Sequence, residues 1–550
     1  MRVIFVFLLL ILISLPSLAD RVTLSFSSDA QKESSTLVWN TPLGRLHPPN
    51  QVVGYNVGGG ATNVAIDIGD GSDGVFNEST YANFSVGGDT SGQVITVDTD
   101  TYSELQFTTF DLASGWTLRG TGSQPLVIRV MGHMTISGTI DCSGEDGEDG
   151  NSDPNTGVSG GTGVCAGADG GAGGTGNGGS SVAPGSGANI NGSVTGGSGG
   201  ATGDANGGVG GSGGGSFNSN VAANQGVDVL NAPNGTAGSS TDEPEFSTLS
   251  GGAGGGGGSD WDAGAATAQG SGAGGGAGGG VIILVAGGNI DLGTSGYVLA
   301  SGGDGGSVDS PRLAGAGGGG GGGGVILFAV NRIQYDNSSL PRIRVGKGDG
   351  GSGNNASGGD GANGRTWLID SEGVPADNIE DIAGNFILFG EVGYQTGSYT
   401  ATTTAFEILN RAPSFLSESL ADTVPSGSSF TLELAFGETS DFDPSGLFAD
   451  SSTIVGVQQD GLRYVKARLS VTSSVADDPV LIESGDIEFS GYLQEDFDLS
   501  TGCARVSGEE GSGSGGLMIL LMCLLPFAVT TGLRRRSSSD RCSSPASGQV

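Results

Sequence analysis

Val281-Ile282-Ile283-Leu284-Val285 is entered from glycines 274–276 and 278–280 and, after a second short strand, leads to Gly303-Asp304-Gly305-Gly306. Five consecutive apolar positions, rich in β-branched side chains, predict a strand covered on both faces rather than a surface strand with one wet side. The same order of apolar strand, polar turn, second strand and acidic glycine turn occurs twice more. Leu126-Val127-Ile128-Arg129-Val130 leads to Ser143-Gly144-Glu145-Asp146-Gly147, and Val325-Ile326-Leu327-Phe328-Ala329-Val330 leads to Gly348-Asp349-Gly350-Gly351. Arg365-Thr366-Trp367-Leu368-Ile369-Asp370 is a truncated fourth copy. A unit of two strands cannot bury its apolar face alone, so recurrence implies stacking. The expected class is all-β, with a glycine-rich stack that is β-helix-like or polyglycine-packed, although the copies are unevenly spaced.

Glycine sets this chain apart: it supplies 111 of 550 residues, of which 75 lie between 141 and 370. Its maxima, at 251–258 and 315–324, admit two physical accounts. A glycine run loses much backbone entropy on ordering and can remain a flexible loop. It can also lie as an extended polyproline II-type helix, packed against others through lateral backbone hydrogen bonds. The abrupt passage from glycine into apolar strands at Val281 and Val325 favours order, because a strand held in a core anchors the segment before it.

Around this region the composition is ordinary. Residues 20–143 read as an N-terminal β region of short alternating runs, such as Gln93-Val94-Ile95-Thr96-Val97. Residues 144–370 form the glycine-rich repeat region. Within 371–500, Phe430, Leu432, Leu434 and Phe436 alternate with polar or small residues, as do Val465, Ala467, Leu469 and Val471, predicting a β-sandwich-like domain.

The chain carries a net charge of −37, which makes nucleic acid and anionic lipid poor partners and favours a soluble, acidic exterior. Cys142 and Cys165 flank one glycine-rich loop and are expected to form a disulfide in an oxidising compartment. Only two histidines are present. His47, before Pro48-Pro49, reads as a loop residue, and His133 sits in a turn; neither makes a good metal or triad residue. No phosphate-binding loop precedes a helix. Acidic glycine turns at 67–74 and 145–150 offer oxygen ligands of the kind calcium takes, with Asp67, Asp70, Asp73, Asp146 and Asp149 as the candidate ligands. Neither matches a complete calcium-loop repeat, and solvated turns remain the favoured reading. No catalytic constellation stands out, so the chain is read as a non-enzyme.

Both ends carry sorting signals. Arg2, the apolar run 3–13, Pro16 and Ser17-Leu18-Ala19 form a signal peptide over 1–19, cut by signal peptidase after Ala19. At the other end a glycine/serine linker, 501–516, ends in Gly515-Gly516. Residues 517–533 are mostly apolar and would span about 26 Å as a helix, at ~1.5 Å per residue. Arg534, Arg535 and Arg536 then open a basic tail, 534–550, expected to stay in the cytoplasm while the preceding domains are outside.

This tripartite end resembles the GlyGly-CTERM sorting tail. The resemblance implies transient membrane insertion and processing near Gly515-Gly516 by a rhombosortase-type protease, with release to the surface or medium. Pro526 inside the apolar run and the length of the tail beyond the arginines depart from that pattern. The expected function is an exported surface or secreted structural and adhesive protein with a glycan or matrix ligand. The alternative is a secreted polysaccharide-active enzyme on a β-helical scaffold, against which the sparse aromatics count.

Overall fold

The computed structural model describes residues 20–492 apart from 54–63, 78–92, 178–179, 190–193, 201–208, 217–222, 228–232, 235, 239–250, 262–268, 336–341, 355, 373–381, 384–386, 409–410, 421, 460 and 476–478. The expected signal peptide and the C-terminal apolar run lie outside the described residues. No described helix is long and apolar enough to cross a membrane.

The fold is all-β, built from several sheets. Three of them are parallel, the third with two antiparallel strands, Asn50–Val53 and Val64–Ile66, added at one edge, and the chain visits them in rotation. The first contains Val75–Phe76, Thr109–Leu112, Met134–Ile136, Ile290–Leu292 and Ile333–Tyr335; the second Val94–Asp98, Thr117–Thr121, Thr139–Asp141, Tyr297–Leu299, Ile343–Arg344 and Ile382–Ala383. The third contains Leu105–Phe107, Leu126–Val130, Val281–Ala286, Gly324–Ala329, Arg365–Asp370 and Ile387–Tyr394. All four recurring strands of the sequence fall side by side in this third sheet, with Leu126 opposite Ile282, Ile282 opposite Val325, and Val325 opposite Thr366.

Alternation along these strands divides two hydrophobic clusters. Ile282, Leu284, Val325, Leu327 and Leu368 pack among side chains of the other two parallel sheets, including Ile136, Ile140 and Val298. Val285, Ile326, Phe328, Trp367 and Ile369 form a second cluster with Val52, Ile66 and Tyr394. The strand Val281–Ala286 thus meets apolar partners on both faces, as its composition requires.

A sandwich-like set of antiparallel sheets encloses a further core that includes Leu432, Leu434, Leu469, Val471 and Phe489. Its sequence is discontinuous. Asp20–Leu24 pairs with Gly485–Tyr492, and Arg45–His47 lies between Val38–Asn40 and Leu481–Glu483. The expected N-terminal region therefore divides: its first strands, up to Arg45–His47, complete the C-terminal sandwich, Asn50–Val53 and Val64–Ile66 add antiparallel to the edge of the third sheet beside Ile387–Tyr394, and the strands from Val75 onward open the parallel sheets. Ile387–Tyr394 likewise pairs with Arg365–Asp370, so the sandwich resumes only with Gly397–Thr403. Apolar alternation identifies such strands but says nothing about which edge they join.

Candidate functional site: a glycine block and an acidic cleft

The glycine segments leave the parallel sheets at one corner of each circuit, between a strand of the second sheet and the next strand of the third. Residues 122–125 make that connection between Thr117–Thr121 and Leu126–Val130; 142–280, 300–323 and 345–364 make it in the following three circuits. Their hydrogen bonds run between segments with a three-residue period, the period of polyproline II. Gly252, Gly255 and Gly258 donate to the carbonyls of Gly279, Gly276 and Ala273; Ala253, Gly256 and Ser259 to Gly215, Ser212 and Val209; Gly254 and Gly257 to Ala188 and Gly185, all at 2.8–3.2 Å. One segment is thus bonded on three sides, each side taking every third residue. The segment 272–280 repeats the arrangement, with Gly274 and Ala277 donating to Glu148 and Glu145, Gly275 and Gly278 to Gly171 and Ala168, and Gly276 and Gly279 to Gly318 and Gly321. This meets the demand that buried backbone groups be paired, without any regular sheet.

At most glycines of the block such spacing leaves no room for a Cβ, and alanine or serine stands only at the positions that admit one. A methyl at Gly255 would sit 2.1 Å from the carbonyl oxygen of Gly318, and one at Gly320 would sit 1.9 Å from that of Ala277. Cys142 and Cys165 form a disulfide with a Cα–Cα distance of 5.8 Å, joining the first glycine segment to the loop beyond it.

Asp146 and Asp149 lie on an edge of this block. Asp146 accepts from the Asp304 amide at 2.8 Å and Asp304 from that of Asp349 at 2.8 Å, so the acidic turns noted in sequence stack in successive circuits. Asp149 accepts from the Ser307 amide at 2.7 Å. The Asp304 carboxyl is held above its usual range, first by burial and then by neighbouring Asp146, Asp349 and Asp360.

In the other acidic turn, Asp67 accepts from the Gly69 amide and Asp70 from that of Ser72, both at 2.9 Å, while Gly69, Gly71 and Gly74 adopt positive φ. These are aspartate turns closed by side chain to backbone bonds. Asp73 and Gln106 are tied twice, through the Gln106 amide to the Asp73 carboxylate at 2.7 Å and the Asp73 amide to the Gln106 carbonyl at 2.8 Å. Asp73→Ala is expected to lower stability by about 1 kcal/mol, and Asp73→Asn by less because it keeps an acceptor. Urea unfolding of the two variants checks this. Among the described residues, no group of three or more His, Cys, Asp or Glu side chains is arranged to hold a metal ion.

Asp67 and Asp70 also line a cleft of about 400 Å³, together with Asp29, Lys32, Trp39, Ile66, Ile68, Met131 and Gln395. The volume falls in the roughly 300–1,000 Å³ typical of small-molecule sites. Asp70 is held below the usual carboxylate range by hydrogen bonds from Ser72, so it is an ionised acceptor rather than a proton donor. Trp39 is closed off as a stacking platform: it is 2% exposed, its Nε1 donates to the Ser28 carbonyl at 3.2 Å, and its ring meets Phe26 edge-on at 5.1 Å. The cleft offers hydrogen-bond acceptors for hydroxyl groups, with Lys32 and Gln395 as donors.

His47 is not in a loop. It ends the strand Arg45–His47, fully buried, with Nδ1 donating to the Pro48 carbonyl at 2.8 Å. His133 stays in a turn, where its Nδ1 accepts from the Asn289 amide at 3.0 Å. Ala19, Gly515, Gly516, Arg534, Arg535 and Arg536 lie outside the described residues. The cleft escapes sequence reading because residues 29–39, 65–70, 131 and 395 meet only through tertiary pairing. Comparison with protein-family models, curated proteins and solved structures finds no match to this chain.

Proposed function

We propose that the chain is an exported structural and adhesive protein of a bacterial surface, with a stiff body and a cleft that takes a glycan or matrix ligand. The observation that carries this reading is the glycine block, whose three-sided backbone bonding makes a solid spacer from segments with almost no reactive side chains. The rotation of the chain through three parallel sheets supports a β-helical coil as the core of that spacer. Delivery rests on the sequence: the signal peptide sends the chain out, and the GlyGly-CTERM-like tail passes through the membrane until a rhombosortase-type protease cuts near Gly515-Gly516. Calcium, if bound, would draw on the second carboxylate oxygens of Asp67 and Asp70.

Binding and cleavage by the full chain across a glycan panel, with and without calcium, test the reading. Expected is binding without cleavage, weakened at least tenfold in an Asp67→Asn, Asp70→Asn variant. Cleavage lost on the same substitutions would establish instead the polysaccharide-active enzyme, and the absence of binding to every glycan would leave only the spacer. For the tail, Gly515→Leu with Gly516→Leu is expected to accumulate unprocessed chain in the membrane; unchanged release would refute the sorting role.

A further inference from the structure

The charge balance of the cleft beside Trp39 narrows what it can take. Asp29, Asp67 and Asp70 line it against the single ammonium of Lys32, an excess of two negative charges. That ammonium is already shared, lying 3.8 Å from Asp29 and within electrostatic reach of Asp70. Arg129, whose charge reaches Asp67, is tied to Glu104 and to the backbone carbonyl of Asp67. Among the described residues neither Asp67 nor Asp70 enters an ion pair.

Both carboxylates are exposed, and beyond the turn amides they accept from they retain lone pairs for a ligand. Gly69 between them has φ +83°, and a Cβ there would meet that of Arg129 at 2.9 Å. The turn is therefore seated against the third sheet, and its carboxylates are held in place before a ligand arrives. The remaining wall is aliphatic: Ile66, Ile68 and Met131 line it, each less than a tenth exposed. Such a wall suits the C–H face of a sugar ring, and Gln395 offers its hydroxyls both a donor and an acceptor. A uronic acid would meet like charge here, and a neutral sugar would leave two carboxylates uncompensated beside apolar walls. An ammonium on the sugar supplies the missing charge.

We propose, resting on the glycan-binding reading above, that the cleft selects a hexosamine with a free, protonated amino group over N-acetylated, neutral and uronic sugars. The ammonium goes to Asp67 and Asp70 and the ring hydroxyls to Gln395. Lys32, lining the same cleft, opposes a run of several cations, which sets the sugar apart from a basic peptide.

Calorimetric titration of the full chain with diglucosamine, its di-N-acetyl form, digalacturonate and trilysine tests the proposal, at physiological ionic strength so that long-range attraction to an acidic chain is screened. Diglucosamine is expected to bind about tenfold or more tighter than the other three, a ratio that one partly desolvated charge pair supplies. The preference is expected to vanish in the Asp67→Asn, Asp70→Asn variant, where asparagine keeps the acceptor that closes each turn. On the unaltered chain, diglucosamine affinity is expected to fall as rising pH strips the sugar amine of its proton, and this readout serves if the variant does not fold. Equal binding of the di-N-acetyl sugar, or affinity indifferent to the amine's titration, would overturn the inference and leave the glycan reading standing. Trilysine binding as tightly, or a preference unchanged in the variant, would overturn it in favour of general attraction between cations and an acidic chain. Absence of binding by every sugar would overturn the glycan reading and the inference with it.

Discussion

Gly255→Val is expected to unfold the glycine block, at a cost of about 5 kcal/mol or more, where an ordinary overpacking change costs roughly 1–3 kcal/mol. The excess has a specific source. The atoms a side chain would strike are the carbonyl oxygen and carbon of Gly318, at 2.1 and 2.5 Å, and backbone cannot rotate away as a side chain can. Gly318 itself donates to Gly256 and accepts from Gly276, so moving it breaks bonds both to the substituted segment and to a third one. Gly346→Ala is the internal control. Its nearest neighbour would be Ser301 Oγ at 3.9 Å, and its expected effect is within about 1 kcal/mol. Chemical denaturation, with limited proteolysis to locate the opened segment, separates the two variants.

Acidification from pH 7 to pH 4 is expected to remove about 3 kcal/mol of stability through His47 alone. Burial first, with the Arg45 charge adding to it against the opposing bond to Pro48, lowers its pKa from 6.5 to about 4. The unfolded chain therefore takes up a proton that the native chain refuses, so this contribution is complete above about pH 7, declines below 6.5 and levels off near 4. Glu418, whose carboxyl is raised first by burial and then by Asp422 and Asp450, works in the opposite direction only where carboxyls titrate. Between pH 7 and 5.5 the slope is that of His47. Unfolding free energies for the native chain and for His47→Gln across this range should differ by a one-proton dependence present only in the former.

The sequence makes the strands legible and leaves their partners hidden. Val281–Ala286 can be recognised because a run apolar at every position needs cover on both faces, and its three relatives because the same order of strand, turn and strand returns; the repeated acidic turn agrees with the alignment of Asp146, Asp304 and Asp349. Phe430 to Phe436 and Val465 to Val471 alternate, and the strands that bear them pair along nine residues. By contrast, nothing in Asp20–Leu24 indicates that it pairs with residues more than 460 positions away. Glycine carries no side-chain pattern at all, so the neighbours of each segment follow from the corner at which it leaves the sheets. His47 is hidden for a related reason: Pro48-Pro49 marks a chain that must turn, and the strand ends only one residue earlier.

The cleft belongs to the same class of hidden feature. Its acidic turn is visible in the sequence, where its carboxylates suit either metal ligands or solvated groups; in the fold they close turns while two of them face a cavity. Asp146 and Asp149 serve the stacking of circuits instead. One motif type, an aspartate beside glycine, thus performs two structural tasks, and only the surrounding strands decide which.

Everything proposed for the body of this protein depends on the glycine segments being a solid rather than a tether. Amide hydrogen exchange of the full chain, resolved to segments, is the direct measurement. The account predicts that 252–259, 272–280 and 315–323 exchange as slowly as the strand Val281–Ala286, because their amides are bonded between segments in the same structure. Exchange of these segments at the rate of an open chain, while Val281–Ala286 remains protected, would contradict it.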